Sequence, residues 1–239
     1  MRFTLPLLTS ITFLAAPLAH AGAPAPSPNA SRTPAAAEAA MTGVEARATA
    51  AALADWARHA RNPVALALAG RMLESQPATA METPPPHSSE VDVPVSATPK
   101  DAPAAPADGP ALIAEARTMA GGDRDTLKAI DSAVASVPAS VARGHVGGPQ
   151  YICDQVQARS TDRWRMMFRA NELAVAWVNG DGDTDLDCWV YDENGNLIAS
   201  DTDYTDSCLL QWRPAWTGEF TLRIQNFGDV WNGYCIETN

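Results

Sequence analysis

The chain has 239 residues, 46% of them hydrophobic, and 28 Asp plus Glu stand against 17 Lys plus Arg for a formal net charge of −11. That balance repels a phosphate backbone and disfavours nucleic acid as a partner; cations or basic surfaces suit it better. Composition divides the chain, because residues 151–239 hold six of the seven Trp, all four Cys, and 15 acids against 6 Arg with no Lys, whereas residues 22–150 are rich in Ala and Pro.

Residues 1–21 read as a secretory signal: Arg2 supplies the charged start, Leu5 to Leu18 the apolar run, and Ala19-His20-Ala21 the small residues before a cleavage after Ala21. The run is shorter than the ~20 residues that span a bilayer, and no later segment reads as a membrane span, so a periplasmic or extracellular protein is expected. Residues 22–40 form a low-complexity leader, expected to be disordered. Residues 41–75 read as a helical hairpin. Thr42 and Glu45 make a capping-box pattern, and Asn62-Pro63 ends one helix and starts the next. The nine Pro of residues 76–110 read as an extended linker. Residues 111–137 are again helical, stopped at Gly121-Gly122 and restarted at Asp123, with Leu127, Ile130 and Val134 on one face.

From residue 151 the period changes to two. Trp164, Met166 and Phe168 alternate with Arg163, Arg165 and Met167; Leu173, Val175 and Trp177 follow; Leu186, Cys188 and Val190 alternate with Asp187, Trp189 and Tyr191; Phe220, Leu222 and Ile224 complete the series. Asn179-Gly180, Asn194-Gly195, Thr217-Gly218 and Asn232-Gly233 supply turns. The fold class expected is α+β multidomain: short helices and a Pro/Ala-rich linker, then an all-β antiparallel jelly-roll-like sandwich over 151–239 with one face of each sheet wet.

The run Gly180-Asp181-Gly182-Asp183-Thr184-Asp185-Leu186-Asp187, followed by Trp189 to Asp192 and Asn194 to Ile198, resembles the bacterial pre-peptidase C-terminal domain. Trp212-Arg213-Pro214, Thr217 to Phe220, Ile224, Asn226, Asn232 and Tyr234 extend the likeness over 151–239. It implies a jelly-roll-like sandwich of the kind that trails secreted peptidases and assists secretion, stability or substrate binding; collagen-binding relatives bind calcium. No peptidase signature accompanies it, since the sequence has neither an HExxH nor a GxSxG pattern.

Asp181, Asp183, Asp185 and Asp187 share one face if their segment is extended, and Asp201, Asp203 and Asp206 can converge on them. Calcium, which takes six to eight hard oxygens, is the candidate cofactor for Asp181, Asp183, Asp185, Asp187, Asp201 and Asp203. The alternative is a solvated acidic edge. Four Cys in an exported chain point to disulfides; of the three pairings, 188–208, whose members face inward from neighbouring strands, is favoured together with 153–235, which would staple the two ends of the domain, and a zinc site lacks any CxxC spacing. Trp164, Trp177 and Trp212 fit core positions. Trp189, Tyr191, Trp216 and Trp231 are the candidate binding aromatics, or else they pack under loops. No acid–base or nucleophile arrangement stands out, so a non-catalytic accessory or binding module for a polypeptide or polysaccharide is expected. The alternative is a structural envelope protein whose helical arm docks a partner.

Overall fold

The structure, a computed structural model, describes residues 26–31, 42–91, 106, 108–137 and 149–239. The expected signal segment and its cleavage site lie outside those residues, as do parts of the leader and linker. Among the described residues no helix is long and apolar enough to cross a membrane.

Among the described residues there are four helices. In α1 (Gly43–His59) the Thr42 Oγ1 accepts from the Glu45 N–H at 3.2 Å while the Glu45 carboxylate accepts from the Thr42 N–H at 2.6 Å, a reciprocal capping box. Arg61, at φ 52°, turns the chain, and Asn62 then caps α2 (Pro63–Ser75) by accepting from Ala65 N at 3.0 Å. Helices α3 (Gly109–Met119) and α4 (Arg124–Ser136) follow, the second capped by Asp123. Ala50, Ala54, Ala57, Leu66, Leu73, Leu112, Ala116 and Ile130 form their common core. Helices α2 and α3 meet at Gly70 and Gly109, where a Cβ on either glycine would lie 2.4–2.6 Å from the other's carbonyl oxygen. The small apolar faces therefore close on each other across the intervening Pro-rich segment.

That segment is not only a linker. Its residues form β1 (Thr79–Ala80) and β2 (His87–Val91), the outermost strands of the two sheets. An edge needs hydrogen bonding on one side only, so Pro84-Pro85-Pro86 can cross between the two edges without removing a donor from a central ladder. The remaining strands are β3 (Gln150–Val156), β4 (Ser160–Phe168), β5 (Ala174–Asn179), β6 (Leu186–Asp192), β7 (Leu197–Asp201), β8 (Ser207–Trp212), β9 (Gly218–Asn226) and β10 (Asn232–Thr238). They make two five-stranded sheets, in the orders β1-β3-β10-β5-β8 and β2-β4-β9-β6-β7, antiparallel except for β1 with β3. The fold is thus α+β, a helical unit joined to a β-sandwich. Trp164, Phe168, Leu186, Val190, Leu210, Trp212, Phe220, Ile224, Tyr234 and Ile236 fill the space between the sheets.

One expectation about faces is corrected. The first sheet is dry on both sides of its middle strands. Ala174, Ala176 and Val178 of β5 face the second sheet, while Val175 and Trp177 face outward and are covered by Val44 of α1. The near-continuous apolar run of β5 is the pattern of a strand buried on both faces. The helical unit is further anchored by Arg47, whose Nε and Nη2 donate to the Glu237 carboxylate at 2.5 and 2.9 Å, with both side chains almost wholly buried.

Residues 26–31 also depart from the expected leader. They lie against the sandwich, and Asn29 is fully buried.

Candidate functional site

The register separates two ends of the sandwich. Leu186 pairs with Asn226 and Phe168 with Gly218, so the 180–185, 202–206 and 227–231 loops share one end and the 169–173, 193–196 and 213–217 loops the other.

The first end collects the acids. The Asp run is not a strand face: β6 begins at Leu186, and residues 180–185 form a loop bent at Gly182, φ 90°. Asp181 accepts from Gly233 N at 2.9 Å, Asp201 from Leu209 N at 2.8 Å, Asp203 from Thr205 N at 2.9 Å, and Asp206 from Gly182 N at 2.5 Å. Asp203 and Asp206 hold loop backbone, and Asp181 and Asp201 hold the backbone of β10 and β8. Burial, then the charges of Asp203 and Asp206, pushes the Asp185 carboxyl above its ordinary value; burial, then Asp185, Asp201 and Asp203, does the same to Asp187. Among the described residues no group of three or more His, Cys, Asp or Glu side chains is arranged to hold a metal ion. Three of the six aspartates expected as calcium ligands, Asp181, Asp201 and Asp203, accept from backbone N–H groups in this way.

The aromatics do not form one patch. Trp231 is buried at the acidic end, and Trp216, 38% exposed, is at the opposite end with its Nε1 donating to Glu193. Trp189 and Tyr191 do face outward from β6, between β9 and edge strand β7 of the second sheet. Across that face Trp189 pairs with Arg223, which pairs with Arg163; Tyr191 pairs with Thr221, which pairs with Arg165. The Arg223 guanidinium lies over the Trp189 ring, 4.8 Å from its centroid, and covers one side of the indole.

At the end opposite the acids, Arg165 and Met167 continue this face into a groove of ≈ 950 Å³. Its far wall is the strap 79–86 with the three prolines, and Met81, Arg169 and Leu173 line it as well. Met167 is 65% exposed. Beside the groove, Asn29 occupies a cradle made by Asp192, Glu193 and the 215–216 backbone.

Of the cysteines, Cys153 and Cys235 are bonded, at directly opposed positions of β3 and β10. The second expected bridge is not formed. Cys188 and Cys208 are free and buried, with the Cys208 thiol donating to Leu186 O at 3.2 Å. Burial, then the Cys208 thiol, pushes Cys188 well up, so little thiolate is available for exchange.

Sequence reasoning missed a buried polar chain. Trp164 Nε1 donates to Tyr234 OH at 2.7 Å, and that hydroxyl donates to Asp162 at 2.8 Å. His87 stacks on Trp164 at 4.1 Å with its Nε2 3.5 Å from the Asp162 carboxylate, its Nδ1 3.6 Å from Asp154, and Ser89 Oγ 3.4 Å from Nε2. Ser89 and Asp154 thus stand on opposite nitrogens of the ring, and Nε2 also faces Asp162. The cluster ties edge strand β2 to β3 and β4. No spacing rule marks it, since its members lie on four strands.

No family model matches the sequence, and no curated protein matches it. Solved structures similar to it include the pre-peptidase C-terminal domain of the Bacillus anthracis collagenase, 12% identical with a TM-score of 0.31 over 37% of this chain and 87% of that one. Aeromonas hydrophila PliG, a periplasmic inhibitor of g-type lysozyme, is 9% identical with a TM-score of 0.30 over 38% of this chain and 84% of that one. The Clostridium thermocellum xylanase 10B CBM22-1–GH10 modules are 12% identical with a TM-score of 0.24; the match spans 41% of this chain and only 23% of that one. The architecture itself defines the class, a β-sandwich carrying a packed helical unit and an open groove.

Proposed function

We propose that this is an exported, non-catalytic binding module that holds an extended polypeptide in the groove between the 79–86 strap and β4. The single observation that carries the reading is Met167, 65% exposed, in a groove that also contains Met81, Leu173, Arg165 and Arg169. A flexible thioether adapts to many apolar side chains, and the adjacent guanidiniums select segments that combine apolar and acidic residues. Four of the six Arg of 151–239, at 163, 165, 169 and 223, lie on the groove or its adjoining sheet face, on a module otherwise strongly acidic. A polysaccharide is less well served, because the outward indole of Trp189 already carries Arg223 on one side. Export accords with the Cys153–Cys235 bridge, which belongs to an oxidising compartment.

The test is binding of an unfolded acidic polypeptide, reduced and carboxymethylated α-lactalbumin, followed by calorimetry. The double variant R165E/M167S alters two exposed side chains and leaves the core intact. Its affinity is expected to fall at least ~10-fold, the loss of a contact set worth ~1.4 kcal/mol or more. Unchanged affinity, or binding confined to a uronate polysaccharide offered in parallel, overturns the reading.

A further inference from the structure

Asn29 has no hydrophobic reason to be buried. It lies more than 160 residues from its contacts, in a Pro-Ser-Pro-Asn-Ala-Ser segment of low-complexity composition. Yet it is wholly buried, and its donors and acceptor are matched one by one. Its backbone N–H donates to Asp192 at 2.8 Å. Its Oδ1 accepts from the N–H groups of Ala215 at 2.9 Å and Trp216 at 3.0 Å. Its Nδ2 donates to Trp216 O at 3.1 Å and to Glu193 at 3.4 Å. On either side, Pro26 O accepts from Asn196 Nδ2 at 3.4 Å and Ser31 N donates to Arg213 O at 2.8 Å.

The receiving side is also held by contacts of its own. Asp192, itself buried, accepts from Asn194 N and from the backbone and side chain of Asn196 in the β6–β7 turn, so its carboxylate is aimed by its own loop. Gly218 leaves the space that Asn29 fills, since a Cβ there would stand 2.9 Å from Asn29 Nδ2. Two N–H donors and one carbonyl acceptor in this order are complementary to a carboxamide and to no other side-chain group. An aspartate would set an oxygen against Trp216 O, and an alanine would leave buried groups without partners.

We infer that the end of the sandwich formed by residues 192–196 and 213–218 is a peptide-binding site that reads an asparagine carboxamide in a proline-flanked extended segment, and that residues 26–31 are its resident ligand. Such a site takes the same segment in trans once the tethered copy is released. While the tethered copy is in place it competes at an effective concentration in the millimolar range. This site shares only Thr217 with the lining of the groove, and neither Arg165 nor Met167 belongs to it, so R165E/M167S leaves it intact and the two fail separately.

The full chain carrying N29A is the receptor, and a blocked hexapeptide of residues 26–31 with a fluorescent label is the probe, read by anisotropy. N29A is expected to bind the hexapeptide, and the wild-type chain at least ~10-fold more weakly because its site is filled. Hexapeptides with Asp or Ala at the asparagine position are expected to bind N29A at least ~10-fold more weakly, as a site built for a polar group rejects its analogues. A folded N29A that ignores the peptide, or binds the Ala form equally, overturns the inference. If N29A does not fold alone, it is refolded with each peptide present. Rescue by the Asn form only supports the site, and rescue by none or by all overturns it.

Discussion

Side chains at the acidic end and at the cradle carry opposite electrostatic consequences. Asp162, Asp185, Asp187 and Asp206 are held above the ordinary carboxylate value, in each case chiefly by burial. A carboxyl raised in the folded chain binds its proton more tightly folded than unfolded. Ionising it therefore costs stability, and that cost is present at neutral pH, declines as pH falls through the raised value, and vanishes below the ordinary one. Asp192 is the reverse. Burial pushes it up, but hydrogen bonds from Asn196, Asn29 and Asn194 prevail and hold it below the ordinary value. Glu193 is also lowered, first by the hydrogen bond from Trp216. Their contribution is present above the ordinary range and is lost as pH falls through their lowered values. Melting temperature is thus expected to rise from neutral to mildly acidic pH and fall again in strong acid. D185N/D187N should raise the neutral melting temperature, by about 2–4 °C for each kcal/mol of ionisation cost relieved, and flatten the mildly acidic rise. A scanning-calorimetry series climbing steadily from acid to alkaline pH contradicts this. The aspartate run was legible as acidic but not as a loop, because its spacing of two mimics a strand while Gly182 bends the backbone. Asn29 was illegible, since a polar residue among prolines and alanines carries no periodic signal and its partners come from loops far along the chain.

Strands and helices were read with unequal success, and for identifiable reasons. Helix ends at Thr42, Asn62 and Asp123 announce themselves, since each cap is a local exchange of hydrogen bonds within three residues. The alternation of β4, β6 and β9 is equally local. Strands β1 and β2 were hidden by prolines that an edge tolerates. The Cys153–Cys235 bridge joins opposed residues of β3 and β10 across a sequence separation of 82, so C153S/C235S is expected to lower unfolding free energy by ~2–4 kcal/mol in urea titration. Alkylation read by mass spectrometry should add two iodoacetamide groups to the unfolded chain and none to the native one, because Cys188 and Cys208 are free and buried. An unfolded, unreduced chain that takes up no label would mean that these two thiols also bridge.

The molecule as a whole is held together where α1 crosses the first sheet. Val44 covers Val175 and Trp177, and Arg47 reaches Glu237 of β10 and the carbonyl of Gln76 at the end of α2. Removing one partner strands the other charge in the interior, so R47A is expected to cost ~3–5 kcal/mol, whereas R47M/E237L, which removes both charges, should cost much less. Denaturant unfolding followed by tryptophan fluorescence checks both. A loss below ~1 kcal/mol for R47A would mean that the helical unit is not locked to the sandwich through this pair. By itself the sequence determined the helices with their caps, the two-residue period of the central strands, the acidity of the C-terminal part and a strand face on which Trp189 and Tyr191 point outward, because each follows from interactions between residues near in sequence. Only the tertiary structure decided that the Pro-rich segment supplies both sheet edges, that α1 dries one sheet, that Cys188 and Cys208 stay apart from the bridge, and that a leader asparagine fills a cradle at the sandwich end. Those outcomes depend on contacts between residues tens to hundreds of positions apart, for which short-range spacing holds no record.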